Sequence, residues 1–157
     1  MGVKALKERL ADLQTVLLDT SVFAYHLADH PQYSPLTTAV LAAIESGSLK
    51  GLVTTLTLSE LLAQPARAGN RRAVQEYELF LTHFPHLQVA PVDVELGREA
   101  AWVRGETGLR APDALQIAAA RLHGADAIVT NDPRWREHVT RPEVILLDDY
   151  LGSDEGA

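Results

Sequence analysis

Thr15-Val16-Leu17-Leu18-Asp19-Thr20-Ser21 sets a compact apolar run directly against an acid and two good helix-capping residues. The run reads as a buried strand over Thr15–Leu18, and Thr20 or Ser21 is expected to cap a following helix. The same arrangement returns at Ala127-Ile128-Val129-Thr130-Asn131-Asp132, a strand over Ala127–Thr130 with an acid just past its carboxyl end. Further short apolar strands fall at 52–55, Leu87–Ala90 and 144–147. Between them the apolar spacing is helical. Val3, Leu6, Leu10 and Leu13 mark a leading helix, and Ser34-Pro35 opens another that Gly47 closes. Residues 58–64 form a fourth helix, and Asn70 begins one that stops before Pro85. Asp93 caps a helix over 94–104, and Pro112-Asp113 opens an apolar helix through Leu122. Strands separated by helices require crossover connections, hence an α/β fold with a mainly parallel sheet of about five strands, covered on both faces.

The 157 residues suit a single domain with a substantial core, and 46% hydrophobic and 22% charged residues are ordinary for a globular chain. No repeat or linker divides it. The expected organisation is a leading helix at 1–14, one domain at 15–151 and a flexible tail at 152–157. There is no cysteine, which excludes disulfides, thiolate metal sites and a cysteine nucleophile. No apolar run approaches the roughly 20 residues of a membrane span, and charges interrupt the N-terminus where a signal peptide would be apolar. A cytoplasmic protein without membrane contact is expected. The net charge of −7 argues against a simple nucleic-acid binder, unless the acids gather where a divalent cation neutralises them.

The topology favours such a gathering. Asp19 and Asp132 follow strands, Glu60 lies in the first turn of the helix after the second strand, and Asp113 begins a helix. Ligands of open α/β sheets bind at the carboxyl ends of strands. Phosphodiester cleavage needs an activated water and neutralisation of charge on the phosphate, both within reach of Mg²⁺ or Mn²⁺. Such hard cations take oxygen ligands, which a carboxylate set without cysteine or histidine supplies better than it would suit zinc. Helix-start geometry favours the ionised form of Asp113. Local duties compete with this chemistry. Thr57-Leu58-Ser59-Glu60 reads as a capping box, Asp113 as a first-turn charge and Asp132 as a turn former before Pro133. Asp19 alone has no evident local duty.

Val16-Leu17-Leu18-Asp19-Thr20-Ser21, Leu58-Ser59-Glu60-Leu61, Pro112-Asp113-Ala114-Leu115-Gln116-Ile117-Ala118-Ala119-Ala120 and Ile128-Val129-Thr130-Asn131-Asp132 together resemble the ordered motifs of PIN-domain nucleases. The likeness runs from about Val16 to Tyr150 and is nearest to VapC-like toxins of toxin–antitoxin pairs. It implies a three-layer α/β/α fold and an Mg²⁺- or Mn²⁺-dependent endoribonuclease. It also implies metal-binding and catalytic roles for Asp19, Glu60, Asp113 and Asp132, with Thr20, Ser21, Thr130 and Asn131 as polar neighbours. A homodimer and a cognate antitoxin that covers the groove follow from it too.

The remaining polar residues carry weaker signals. Arg67, Arg71 and Arg72 flank Gly69-Asn70 and read either as a solvated turn or as RNA-phosphate contacts. The six histidines show no metal-ligand spacing, and Trp102 and Trp135 read as packing residues. Leu6, Leu10, Leu36 and Val40 could face a partner subunit or cover the sheet. Asp148 and Asp149 read as a solvated C-terminal turn. A haloacid-dehalogenase-like phosphatase would need an aspartate at position 21, which is Ser, and a receiver domain would need a late lysine, whereas the lysines stop at Lys50. A non-catalytic partner-binding module is the other alternative. Clustered carboxylates without a cation repel one another, which disfavours it.

Overall fold

The computed structural model describes residues 2–152, so most of the expected tail at 152–157 lies outside the described residues. The elements follow in the order α1 (Val3–Ala11), β1 (Thr15–Leu18), α2 (Thr20–Leu27), α3 (Ser34–Glu45), β2 (Lys50–Thr54), α4 (Thr55–Arg67), α5 (Arg71–His83), β3 (Leu87–Ala90), α6 (Val94–Thr107), α7 (Ala111–Leu122), β4 (Ala127–Thr130), α8 (Pro133–His138) and β5 (Glu143–Leu146), with a closing 3₁₀ turn at Leu147–Tyr150. All strands are parallel, in the spatial order β3-β2-β1-β4-β5. The chain builds outward from β1 through β2 to β3, then returns to the other side of β1 with β4. The crevice between β1 and β4 is therefore the topological switch point.

Side chains alternate across each strand, so β1 feeds two cores. Val16 and Leu18 join Leu6, Leu10, Phe23, Val40, Ile44 and Leu81 on one face. Leu17 joins Leu96, Val103, Ile117 and Trp135 on the other. Helices α1, α2, α3 and α5 thus cover one face and α6, α7 and α8 the other, giving the three-layer α/β/α arrangement. Strands buried on both faces must be apolar throughout, as β4 is at Ala127, Ile128 and Val129.

Several expected boundaries shift. β2 starts at Lys50 because Lys50 N–H bonds Gln14 O and Gly51 N–H bonds His86 O, tying the strand to both flanks. β5 begins at Glu143, opposite Ala127. Tyr33 precedes α3, so Ser34 is its first helical residue and caps nothing. Helix α6 runs to Thr107 and stops at Gly108, whose φ of +71° suits a residue without a side chain. Helix α8 is not expected from the sequence, being too short to show periodicity. Leu6, Leu10, Leu36 and Val40 are at most 3% exposed and cover the sheet, so they do not face a partner. Trp135 packs as expected at 1% exposure. Trp102 does not: it stands 70% exposed on the outer side of α6.

Candidate active site

Asp19 leaves the end of β1 in extended conformation and is itself the N-cap of α2, correcting the expectation that Thr20 or Ser21 would cap it. Its Oδ1 accepts the Thr20 backbone N–H at 2.7 Å and the Gln116 Nε2–H at 3.0 Å. Its Oδ2 accepts the Thr130 hydroxyl at 2.7 Å and the Ser21 hydroxyl at 3.2 Å. Burial pushes the Asp19 carboxyl above the ordinary carboxylate range, and the four donors offset only part of that rise.

Glu60 sits in the second turn of α4, because β2 passes straight into the helix at Thr55 and Thr54 makes no side-chain cap. The capping box at Thr57 therefore does not form, and Glu60 is not a first-turn residue. Its Oε1 instead accepts the Thr20 hydroxyl at 3.1 Å. Thr20 has one hydroxyl proton, so its contact with Thr57 Oγ1 at 3.1 Å is donated by Thr57. Partial burial raises the Glu60 carboxyl; the Thr20 bond opposes this, and the nearby charges of Asp19 and Asp113 add to it.

Asp113 is the third residue of α7, which opens at Ala111 after Arg110 and carries Pro112 in its first turn. Asp132 caps α8 by accepting Arg134 N–H at 3.0 Å, ahead of Pro133 at the first helical position. The Arg134 side chain folds back over both acids. Its Nε lies 3.0 and 3.2 Å from the two Asp132 oxygens, and its Nη2 lies 2.5 Å from Asp132 Oδ2 and 3.5 Å from Asp113 Oδ2. That guanidinium holds the Asp132 carboxyl below the usual range. Thr130 bridges the two strand ends, accepting Asp132 N–H at 3.1 Å while donating to Asp19.

The four acids thus lie around the β1/β4 switch point, linked in pairs: Asp19 with Glu60 through Thr20, Asp19 with Asp132 through Thr130, and Asp113 with Asp132 through Arg134. Of the expected neighbours, Thr20, Ser21 and Thr130 bond Asp19 or Glu60. The Asn131 side chain does not: it donates to Tyr25 Oη at 3.2 Å and accepts Asp148 N–H at 3.0 Å. Arg67, Arg71 and Arg72 stay exposed, Arg67 at the far end of α4 and the other two at the start of α5, with Arg72 paired to Glu76. Arg67 lies two helical turns beyond Glu60, roughly 10 Å along the axis.

Sequence reasoning missed Gln116, Thr57 and Arg134. Gln116 carried a signal, as the polar residue in an apolar helix, three positions after Asp113. It is 3% exposed, and its Oε1 has no partner.

The donor set is chemically suited to a hard divalent cation: carboxylate oxygens and hydroxyls, without sulfur or imidazole. Among the described residues no three acidic or histidine side chains stand close enough to ligate one ion together.

Solved structures share the fold. VapBC2 from Rickettsia felis, bound to a promoter DNA fragment, aligns with TM-score 0.66 and 16% identity over 85% of this chain and 98% of that one. FitAcB from Neisseria gonorrhoeae aligns at 0.64 and 21% identity over 84% and 97%. VapC20 from Mycobacterium tuberculosis, described as a sarcin–ricin loop cleaving toxin, aligns at 0.56 and 18% identity over 72% and 86%. No curated protein matches the sequence. The PIN domain family model matches residues 16–139, a span that holds all four acids and the switch point between them; the chain belongs to the PIN domain family.

Proposed function

We propose that the chain is a metal-dependent endoribonuclease and the toxin of a toxin–antitoxin pair, using Mg²⁺ or Mn²⁺. The observation that carries this reading is the linkage of Asp19, Glu60, Asp113 and Asp132, from four separate segments, around the switch point of the sheet. The fold shared with VapBC and FitAcB chains supports the antitoxin partner, and the fold shared with a sarcin–ricin loop cleaving toxin supports the nuclease activity.

Asp19, Glu60, Asp113 and Asp132 would hold the metal. Bound there, the ion lowers the pKa of a water and neutralises charge on the phosphate. The chain's own residues arrange the rest. Gln116, Thr130, Ser21 and the Thr20 N–H fix the Asp19 carboxylate in one orientation. Thr20 aims Glu60 at the same space. Glu60, with its carboxyl raised, is suited to take a proton from the attacking water. Arg67, Arg71 and Arg72 are suited to trailing RNA phosphates. We take the active unit as one domain over 15–151, cytoplasmic, and dimeric by resemblance; light scattering showing a monomer at micromolar concentration counts against the dimer.

The test is cleavage of single-stranded RNA by the purified chain. Cleavage is expected with Mg²⁺ or Mn²⁺, is blocked by EDTA, and is abolished by Asp19→Asn, Asp113→Asn or Asp132→Asn with circular dichroism unchanged. Activity that survives chelation or Asp19→Asn removes the metal mechanism.

A further inference from the structure

Arg134 is the one basic side chain among the described residues bonded to the candidate acids. Its guanidinium engages both Asp132 oxygens and reaches Asp113 Oδ2 at 3.5 Å. The other basic residue near it, Arg136, is held on Asp149 instead. A fork–fork contact of this kind uses the carboxylate lone pairs that an ion would need, so guanidinium and metal compete for the same oxygens. The contest is uneven. Arg134 is half exposed, with 50% of its side chain open, and its single charge is screened by water. A divalent ion carries twice the charge and coordinates directly. The displaced side chain nevertheless stays tethered near the site, because the backbone N–H of Arg134 is bonded to Asp132 at the start of α8. Once displaced, the guanidinium remains beside any phosphate that the ion draws in, and its planar donors match phosphate oxygens.

Building on the proposed function, we infer that Arg134 is a resident counter-ion of the acidic site. Without metal it neutralises Asp132 and Asp113; a divalent cation displaces it, and the freed guanidinium binds the RNA phosphate. It acts as a stand-in for the cation first and as a substrate-positioning residue second. Arg134→Gln should therefore change metal and RNA affinity in opposite directions, which a merely structural residue would not do.

The experiment measures Mn²⁺ affinity by electron paramagnetic resonance at fixed ionic strength, for wild type, Arg134→Gln, Arg134→Lys and Arg136→Gln. Arg136→Gln removes the same charge from the same helix away from the acids. Arg134→Gln is expected to bind Mn²⁺ roughly fivefold more tightly, the size of one exposed ion pair. Arg134→Lys should fall between, and Arg136→Gln should match wild type. A second arm measures binding of a short fluorescein-labelled, mixed-sequence single-stranded RNA in Ca²⁺ by anisotropy. Arg134→Gln should bind more weakly, with the slope of log affinity against log salt smaller by about 0.7, one lost phosphate contact. Unchanged or weaker Mn²⁺ binding by Arg134→Gln, or equal tightening by Arg136→Gln, overturns the counter-ion role. Unchanged RNA affinity and salt slope overturn the phosphate role. If neither wild type nor Arg134→Gln binds Mn²⁺ saturably, the metal reading of the acids fails, and this inference falls with it.

Discussion

The Asp126 carboxylate accepts the backbone N–H groups of Gln14 and Thr15 at 2.8 and 2.9 Å, stitching the start of β4 to the start of β1. Bonds to the charged form hold this carboxyl below its usual range. A carboxyl lowered on folding stabilises above its unfolded value, and that contribution is lost as pH falls through the folded value. Asp126→Ala should thus destabilise at neutral pH, and the gap from wild type should close below pH of about 4. Urea melts along a pH series measure it; a gap flat into acid would show that the charge contributes nothing. Glu60 makes a second case. Its carboxyl is raised and its local bond is accepted from Thr20, so Glu60→Gln keeps an acceptor and relieves repulsion. Its metal-free melting temperature should equal or exceed that of wild type, while cleavage is lost. Wild-type cleavage rates in Glu60→Gln would reduce the site to three acids. Asp19, Asp113 and Asp132 could be placed from the sequence because strand ends and helix starts are one-dimensional features, whereas Glu60, expected in a first turn, lies in the second turn of α4. Their partners could not be, since Gln116 reaches Asp19 across 97 residues and nothing local announces it. Asp19 also has the local duty it lacked on sequence grounds: it caps α2.

At the scale of elements, α4 and α8 show why local signatures mislead. Thr57-Leu58-Ser59-Glu60 has the pattern of a capping box, yet the helix has already begun at Thr55, because Thr54 turns from strand into helix without a loop. A box needs a helix start, and the pattern cannot say whether one is there. Pro65 likewise reads as a stop, but α4 continues to Arg67, with Asn70 N–H bonding Pro65 O past its end. Asp132-Pro133, for which a turn is the competing local reading, is the cap and first residue of α8. Helix α6 offers a measurable consequence. Gly97 and Gly105 lie inside it, and a Cβ built at either meets nothing within 4 Å. Replacing helical glycine by alanine reduces the entropy lost on folding, so Gly97→Ala and Gly105→Ala should each stabilise by about 0.5–1 kcal/mol. The two positions share no contact, and the effects should add. Chemical denaturation checks this; a loss of stability would mean that another surface approaches α6 in solution, where Trp102 is also exposed.

For the whole molecule, alternation of strands and helices predicted a parallel sheet, and the five parallel strands follow. Their order did not come from alternation, because a crossover states that two strands are parallel without saying which neighbour the next one joins. The return of β4 to β1 is a tertiary choice, with α7 packed against both, and it lets Thr130 bridge Asp19 and Asp132. It also bears on the charge question. The chain carries 14 basic and 21 acidic residues, hence −7, and part of that excess is drawn to one edge. A cation bound there should stabilise the fold by mass action, since the unfolded chain has no such site. At a free Mn²⁺ concentration of about 100 times its dissociation constant, the gain is about 2.7 kcal/mol. For a domain of this size that corresponds to roughly 5–10 °C in melting temperature. Melting curves with Mn²⁺, against sodium chloride at matched ionic strength, separate specific binding from screening, because screening alone relieves the net repulsion equally in every variant of the same charge. Asp19→Asn should abolish the Mn²⁺-specific part while leaving the salt response nearly intact. If Asp19→Asn is stabilised by Mn²⁺ as much as wild type, the ion binds elsewhere, and the acids over the switch point are not its site.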